Sequence, residues 1–290
     1  MTIKPRRSVL YMPGANAKVL EKAKTLACDA IIMDMEDAVA PEMKQEARDC
    51  ITAALAGGGY GKREIIIRTN GTDTEYFDDD LKCAVAAKPD AILVPKVSSK
   101  DQVLKIDAKI RELNGGNPID IWAMIETPRA ILDIFSICSA AETVPFKALV
   151  MGTNDLAKET GALLDVERAP FLYALSAAVN GGKCFGLSVI DGVFNEIQNT
   201  EGFESQCIQG KNFGFDGKTL IHPSQIEVCN NIFAPKPEEI AYARAVVAAF
   251  ADPANAGKGV LKVEGKMAEI LHRDMALKTI TIAEAIEAAG

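Results

Sequence analysis

Carboxylate side chains recur directly after short apolar runs along the chain. They are Asp34, Glu36, Asp37, Glu126, Asp155 and Asp191. Carboxylates that share one site repel one another unless they are protonated, salt-bridged or bound to a cation. Because the chain has only two histidines and no Cys-x-x-Cys pair, hard oxygen ligands are favoured over a soft-metal site. Such ligands suit Mg²⁺, with Mn²⁺ as a substitute, and Glu126 and Asp155 supply the one or two carboxylates that Mg²⁺ commonly takes.

Each of these two carboxylates also has a simpler interpretation. Asp155 could cap the N-terminus of a predicted helix, Leu156–Leu164. Glu126 could be a salt-bridged residue at the rim of the fold. Both alternatives remain open from the sequence.

Two basic residues follow apolar runs in the same way. Arg68 either pairs with a neighbouring carboxylate or grips a substrate oxygen through its planar fork. Lys96 could form a Schiff base, as in metal-free aldolases, but an ion pair with the cluster of Asp34, Glu36 and Asp37 is favoured. His222, before a proline, is more often a hydrogen-bonded structural residue than a catalyst.

The elements that must position these residues repeat one order: an apolar run, a polar break and a helical pattern. The eight runs are Ser8–Met12, Ala30–Met33, Glu64–Arg68, Ala91–Val94, Ile119–Ile125, Ala148–Met151, Phe185–Ile190 and Lys218–Ile221. The helical stretches include Ala17–Leu26, Lys44–Leu55, Asp101–Leu113 and Arg129–Ala140. Continuous apolar strands indicate a parallel sheet buried on both faces. Eight such units predict an α/β TIM (β/α)₈ barrel with its site at the carboxyl ends of the strands; a doubly wound sheet is the alternative.

The pattern changes after Pro235. A helix is predicted over Glu238–Phe250, then a glycine-punctuated link over Asp252–Gly259 and an amphipathic segment from Gly265 to Ala289. We therefore expect a barrel domain over residues 1–235 and a C-terminal helical extension over 236–290. The extension exceeds what barrel closure needs and is a candidate lid or oligomer arm.

Composition narrows the class of protein. Among 290 residues, 48% are hydrophobic and the net charge is −8, which argues against nucleic acid and anionic membranes as partners. Seven scattered cysteines indicate reduced, mostly packed thiols. We find neither a secretory signal nor an 18-residue apolar run, and so expect a cytoplasmic protein.

Nine segments together resemble one known family. They are RRSVLYMPGANAKVLEKA (6–23), DAIIMDMEDAVAPEMKQEAR (29–48), IIIRTNG (65–71), ILVPKV (92–97), AMIETPRAI (123–131), GTNDLA (152–157), VIDGVFNEIQNTEGF (189–203), GFDGKTLIHPSQI (214–226) and IFAPKPEEIAYAR (232–244). In their order and extent along the chain, these segments resemble those of the citrate lyase β-subunit-like proteins of the HpcH/HpaI aldolase superfamily. That group includes malyl-CoA, methylmalyl-CoA and citramalyl-CoA lyases.

The resemblance implies a TIM barrel, usually in trimers or hexamers, with Mg²⁺ on Glu126 and Asp155. It implies that Arg68 contacts the α-keto acid and thioester oxygens. More loosely, it implies that CoA lies near the turn of Pro13 and Gly14, with Arg7 and Lys18 approaching its phosphates. Gly14 could also hold a phosphate on backbone N–H groups, although a single glycine is a weak signal.

The resemblance also adds catalytic candidates. A C-terminal Asp that reaches the adjacent subunit in many relatives is replaced here by Glu269, one methylene longer. With Arg68 and Asp37, Glu269 completes the candidate catalytic set. The motif GTNDLA departs from the Gly-Glu-Asp form of some citramalyl-CoA lyases, so the substrate of this chain cannot be inferred from theirs.

The chemistry implied is reversible Claisen-type cleavage of a 3-hydroxyacyl-CoA into an acyl-CoA and an α-keto acid. Two other reactions fit the same scaffold. One is hydrolysis of a malyl-CoA-type thioester. The other is the role of a citrate lyase β subunit, which acts on a citryl thioester bound to an acyl-carrier protein.

Overall fold

The computed structural model describes residues 4–289, which form two compact units. One unit comprises Arg6–Asn230, and the described part of the other comprises residues 4–5 and 231–289. The change of unit lies near the boundary expected at residue 235, which remains a prediction.

Eight parallel strands close into a barrel in sequence order. They are β1 (Ser8–Pro13), β2 (Ala30–Asp34), β3 (Glu64–Arg68), β4 (Ala91–Val94), β5 (Asp120–Ile125), β6 (Phe146–Met151), β7 (Ser188–Asp191) and β8 (Gly217–Leu220). Closure is made by β1, which pairs with both β2 and β8. The TIM-barrel prediction is therefore confirmed, and the doubly wound alternative is wrong because an open sheet would leave two unpaired edges.

The strands are apolar on both faces because one face fills the barrel and the other meets the helices. Inside the barrel, Ile32, Ile66, Leu93 and Trp122 are fully buried in a single cluster. This apolar filling leaves the interior packed up to the polar residues at the strand ends.

The helices follow the strands as a (β/α)₈ order requires. They are α1 (Ala17–Ala23), α2 (Lys44–Gly57), α3 (Phe77–Ala87), α4 (Lys100–Leu113), α5 (Pro128–Leu132), α6 (Ile134–Cys138), α7 (Thr153–Thr160), α8 (Leu172–Cys184), α9 (Thr200–Phe213), α10 (Ile226–Phe233), α11 (Pro237–Ala251) and α12 (Ile270–Ala289). Among residues 4–289, no helix has both the length and the apolar character that a membrane crossing requires.

Three predicted boundaries were wrong for local reasons. The predicted helix Arg129–Ala140 is interrupted at Asp133, which ends α5 and begins α6. The seventh strand begins at Ser188 because Gly186, with φ of 70°, turns the chain after α8. Helix α7 ends at Thr160 because Gly161 takes the left-handed C-cap conformation.

The C-terminal unit contains a β-hairpin that the sequence analysis missed. Strands β9 (Val260–Val263) and β10 (Lys266–Glu269) pair antiparallel around Glu264 and Gly265. Both turn residues have positive φ, 48° and 81°, as a two-residue primed turn requires. The hairpin packs through Val263 in a small core with helices α11 and α12. The predicted amphipathic segment from Gly265 to Ala289 therefore begins with the four residues of β10 and continues as the 20-residue helix α12.

Candidate active site at the carboxyl ends of the strands

Arg68 and Asp34 form the centre of the mouth, which is the end of the barrel where the carboxyl ends of the strands meet. The end residues of β3 and β2 lie side by side in register. The Arg68 guanidinium donates from Nε and Nη2 to the two Asp34 oxygens at 2.6 and 2.7 Å. Although burial favours the protonated form of Asp34, Arg68 and the backbone N–H groups of Glu36 and Ala38 lower its pKa. This clamp leaves Nη1 as the guanidinium nitrogen that is not engaged by Asp34.

Arg68 Nη1 faces further carboxylates at the mouth. It lies 2.8 Å from Glu36 Oε2 and 3.4 Å from Asp37 Oδ2. Burial, with repulsion from neighbouring carboxylates, raises the pKa of Glu36 to about 7 even though Arg68 opposes the change. Of the two alternatives for Arg68, the structure shows the pairing with rim carboxylates; a contact with a substrate oxygen stays a prediction.

Lys96 is an ion-pair partner, as the favoured interpretation predicted. Its Nζ lies 3.6 Å from Glu36 Oε1. Partial burial acts to lower the pKa of Lys96, but Glu36, Asp155 and Glu126 raise it overall. A lysine held as a cation is a poor Schiff-base nucleophile, since that chemistry needs the neutral amine.

Glu126 lies at the end of β5, 1% exposed. Its Oε1 accepts a 2.7 Å hydrogen bond from the Lys96 backbone N–H. Lys96 has a φ of 55°, which is unusual for any residue other than glycine. Burial, with repulsion from Glu36 and Asp155, raises the pKa of Glu126 to about 8. Gly152 makes room for it, because a β-carbon there would overlap the Glu126 carboxylate.

These observations fit a hard cation held by Glu126 and Asp155. Both are oxygen donors, and the Asp155 carboxylate raises the cost of ionising Glu126 unless positive charge is added. Within residues 4–289, no group of three or more His, Cys, Asp or Glu side chains is arranged to hold a metal. A two-carboxylate site suits Mg²⁺, which keeps several positions for water and substrate. Asp155 lies in the first turn of α7 rather than at its cap, so the N-cap interpretation was wrong.

Tyr11 and Met124 complete the floor of the mouth and were missed from the sequence. The Arg68 guanidinium carbon lies 4.8 Å from the centre of the Tyr11 ring, and Tyr11 Oη lies 3.8 Å from Met124 Sδ. Burial raises the pKa of Tyr11, so the phenol stays neutral beneath the cation. The sequence could have indicated these two residues only by their position. A side chain two residues before an inward-facing residue at a strand end points to the same face of the strand.

The predicted CoA-binding residues separate into two places. Arg7 precedes β1 and so lies at the opposite end of the barrel from Pro13 and Gly14, roughly 20 Å along a six-residue strand. Its guanidinium donates to both Asp29 oxygens at 2.9 and 2.7 Å. The expectation that Arg7 lies near the turn was therefore wrong, because sequence proximity across a strand is not spatial proximity.

Gly14 has a structural reason to be glycine. Its N–H donates to the Asp34 carbonyl at 2.8 Å, and a β-carbon would overlap that carbonyl. The donor expected to hold a phosphate is thus already used. Lys18 is exposed in the first turn of α1, and its contact with CoA stays a prediction.

A buried lysine holds the loop that carries Glu36. Lys44 Nζ donates at 2.8 Å to the carbonyl oxygens of Met35 and Glu36 and to Asn70 Oδ1. Burial lowers the pKa of Lys44 despite four nearby carboxylates. The sequence did not reveal this role, because a lysine in a helix is normally solvated.

A second buried ionic cluster, Arg168–Asp191–Lys218, was also missed. Arg168 Nη1 donates to Asp191 Oδ1 at 2.6 Å, and Lys218 Nζ donates to Asp191 Oδ2 at 3.1 Å. All three residues are at most 1% exposed. The sequence analysis noted the Asp191 carboxylate at a strand end. Its two cations were missed because Arg168 lies in a polar loop and Lys218 lies within a strand.

His222 and Glu269 occupy less central positions. His222 Nδ1 accepts from the Ser224 N–H at 3.2 Å at the start of a 3₁₀ turn, which confirms the structural interpretation. Glu269 ends β10, half-buried, and no ion pair engages its carboxylate among residues 4–289. Its catalytic role, like that of Asp37, stays a prediction.

Fold and mouth together define an enzyme of the (β/α)₈-barrel class. Residues 7–223 match the family described as HpcH/HpaI aldolase/citrate lyase, and residues 167–286 match carbon–carbon bond lyases of the TIM-barrel fold. The chain therefore belongs to the HpcH/HpaI aldolase/citrate lyase family, an enzyme family of carbon–carbon lyases.

Individual relatives cover nearly the whole chain. A (3S)-malyl-CoA thioesterase of Cereibacter sphaeroides is 43% identical over 284 residues, 98% of this chain and 96% of the relative. The human mitochondrial citramalyl-CoA lyase is 31% identical over 297 residues, 98% and 87% of the two chains. The crystal structure of Mycobacterium tuberculosis CitE, in complex with magnesium, acetoacetate and coenzyme A, is 26% identical with a TM-score of 0.75, covering 96% of this chain and 97% of that one.

Proposed function

We propose that this enzyme hydrolyses a malyl-CoA-type thioester in a Mg²⁺-dependent reaction. The observation that carries the proposal is 43% identity, over 98% of the chain, to a protein named (3S)-malyl-CoA thioesterase. Carbon–carbon cleavage of the same substrate is the second candidate. It is favoured by the family itself and by the citramalyl-CoA lyase relative at 31% identity.

Both reactions place the same demands on the mouth. When bound to Glu126 and Asp155, Mg²⁺ would supply Lewis-acid polarisation of substrate oxygens. Arg68, fixed by Asp34, would present Nη1 to the oxygen that gains negative charge. Lys96 would add positive charge beside Glu36, so that an anionic substrate can enter a mouth rich in carboxylates.

The two reactions differ in the bond that breaks. In hydrolysis, water adds to the thioester carbonyl, a base takes the water proton, and the carbon–sulfur bond breaks to give malate and CoA thiol. In lyase chemistry, a base takes the proton of the C3 hydroxyl and the C2–C3 bond breaks. The enolate of acetyl-CoA then leaves and takes up a proton, with glyoxylate as the other product.

The deciding experiment follows both products from purified malyl-CoA with Mg²⁺ present. We expect free thiol to appear in step with malyl-CoA consumption, without glyoxylate or acetyl-CoA. Glyoxylate and acetyl-CoA in equal amounts would instead assign the lyase reaction. A panel with methylmalyl-, citramalyl- and acyl-carrier-bound citryl thioesters defines the substrate class, and Asp155→Asn is the control for contaminating host thioesterases.

We further propose that Glu269 serves as the acid or base of a neighbouring subunit's site in a trimer or hexamer. Support comes from the sequence resemblance and from a carboxylate without an ion-pair partner in the described chain. Glu269→Ala and Asp155→Ala, each inactive alone, should regain partial activity when mixed, because some sites then receive both intact residues. Light scattering must reveal an oligomer, and mass spectrometry must verify subunit exchange. A monomeric mass, or verified exchange without rescue, would refute the shared site.

A further inference from the structure

Gly192 is held from both sides by the buried Arg168–Asp191–Lys218 cluster. Its N–H donates to Asp191 Oδ1 at 2.8 Å, and its carbonyl accepts from Lys218 Nζ at 2.5 Å. The same Asp191 oxygen accepts from Arg168 Nη1 at 2.6 Å. The peptide groups on both sides of this glycine are therefore fixed by ionic hydrogen bonds from which water is excluded.

Gly192 in turn touches the helix that carries Asp155. A β-carbon on Gly192 would lie 2.7 Å from Thr153 Oγ1 and 3.0 Å from the Met151 carbonyl oxygen. Thr153 is the first residue of α7 and is 1% exposed. Gly192 thus forms the wall against which the first turn of α7 rests, two residues before Asp155.

The same cluster ties down the chain after α7. The Arg168 N–H donates to Asp165 Oδ1 at 2.7 Å, and Nε donates to Gln209 Oε1 at 2.9 Å. Gln209 Nε2 returns a 2.7 Å hydrogen bond to the Glu167 carbonyl. Arg168 has a φ of 56°, which an arginine adopts only when its surroundings hold it there. The cluster thus contacts the chain at the first turn of α7, through Gly192 and Thr153, and holds it again five to eight residues after α7 ends.

We propose that Arg168, Asp191 and Lys218 are positioning residues that hold Asp155 in place for Mg²⁺. The inference rests on the proposed metal role of Glu126 and Asp155. The cluster is sealed from ligands, so its effect on the reaction passes through Gly192 and Thr153. A metal site with only two protein carboxylates depends strongly on how those two are held, since supporting residues typically contribute 10–100-fold to metal affinity.

The test measures the binding of Mn²⁺ alone, by its electron paramagnetic resonance signal, and of Mg²⁺ by competition. Asp191→Asn should raise the dissociation constant by about 10-fold or more, while kcat at saturating Mg²⁺ changes by less than about 3-fold. Glu64→Gln is the matched control. It breaks a largely buried bidentate pair, with Arg6 at 2.7 and 2.8 Å, at the other end of the barrel, and should leave metal affinity unchanged.

A second pair of variants keeps the test decisive if Asp191→Asn does not fold. Gly192→Ala should weaken Mn²⁺ binding by pushing Thr153, and adding Thr153→Ala should restore part of the affinity because Oγ1 is removed. Unchanged affinity in Asp191→Asn or Gly192→Ala, while Asp155→Asn abolishes binding, would overturn the positioning role alone. Binding that survives both Glu126→Gln and Asp155→Asn would instead remove the proposed metal site, and the inference with it.

Discussion

Two of the buried arginine–aspartate clusters of the barrel look alike in pairwise contacts and differ in charge balance. At the mouth, Arg68 and Lys96 stand among the carboxylates Asp34, Glu36, Asp37, Glu126 and Asp155. Behind β7 and β8, two cations share the single carboxylate of Asp191. The mouth thus has an excess of negative charge, and the sealed cluster does not.

This difference separates a site that acts on ligands from one that supports the fold. Buried carboxylates without enough cations stay partly protonated, as the raised pKa values of Glu36 and Glu126 indicate, unless a metal arrives. In the sealed cluster, burial alone would raise the pKa of Asp191, but Lys218 and Arg168 lower it. The first arrangement lacks cations for its carboxylates. The second already has two cations for one carboxylate, and within the described chain Arg168 Nη2 is left buried without a hydrogen-bond partner.

Metal removal should produce the largest effect if the mouth is the incomplete cluster. Glu126→Gln removes the negative charge that a cation needs but keeps the shape of the side chain. We expect activity to fall below detection in this variant and in the wild type treated with EDTA, with Mg²⁺ or Mn²⁺ restoring only the latter. Full activity in EDTA would contradict the comparison, and borohydride trapping with substrate would then test Lys96 as a Schiff base.

Arg68→Lys should have the next largest effect. It keeps the charge but loses the fork that grips Asp34 with two nitrogens and presents a third. We expect kcat to fall about 100- to 1,000-fold, within the range for loss of one oxyanion donor, and Arg68→Ala to leave almost nothing. Arg6→Lys, which loses a similar fork to Glu64 at the far end of the barrel, is the matched control. Near-normal kinetics in Arg68→Lys would make Arg68 a structural ion-pair residue.

The mouth was largely predictable from the sequence because parallel strands bring their carboxyl ends together. Once the eight apolar runs were identified, Arg68, Lys96 and Glu126 had to lie at one rim. Even the ion pair of Lys96 followed from the local excess of carboxylates. The parallel order of the strands was enough to predict that these residues share one site.

The sealed cluster could not be predicted in the same way. Arg168 lies in a polar loop, and its burial depends on a left-handed backbone that no residue type there requires. Lys218 stands in β8, whose four residues are Gly, Lys, Thr and Leu, and this sequence gives no indication of its partner. The β9–β10 hairpin was missed for a related reason, since Glu264 is an uncommon residue at positive φ.

Stability should distinguish the sealed carboxylate of Asp191 from an exposed carboxylate at the mouth. Asp191→Asn leaves Arg168 and Lys218 buried without their counter-charge, which should cost about 3–5 kcal/mol of unfolding free energy. Asp37→Asn, whose side chain is 66% exposed, should cost less than about 0.5 kcal/mol. Urea unfolding in EDTA measures both variants. A small loss in Asp191→Asn would mean that water reaches the sealed cluster and screens its charges.

The pH dependence of stability should give the smallest but sharpest contrast. Burial raises the pKa of Glu36 from 4.5 to about 7 in the folded protein. Folding therefore favours the protonated side chain, so this contribution is fully present below pH 4.5 and is lost as the pH rises through 7. Between pH 5 and pH 7.5, the metal-free wild type should lose about 1–3 kcal/mol of unfolding free energy relative to Glu36→Gln.

The sealed cluster should be flat over the same interval. The pKa of Asp191 is lowered from 3.8, so its contribution is present above that value and is lost only as the pH falls through the still lower folded pKa. The difference in unfolding free energy between wild type and Asp191→Asn should therefore stay constant from pH 5 to pH 7.5. Urea titrations at four pH values in EDTA measure both differences. A flat Glu36 difference, or a sloping Asp191 difference, would mean that the charge balance assigned to that cluster is wrong.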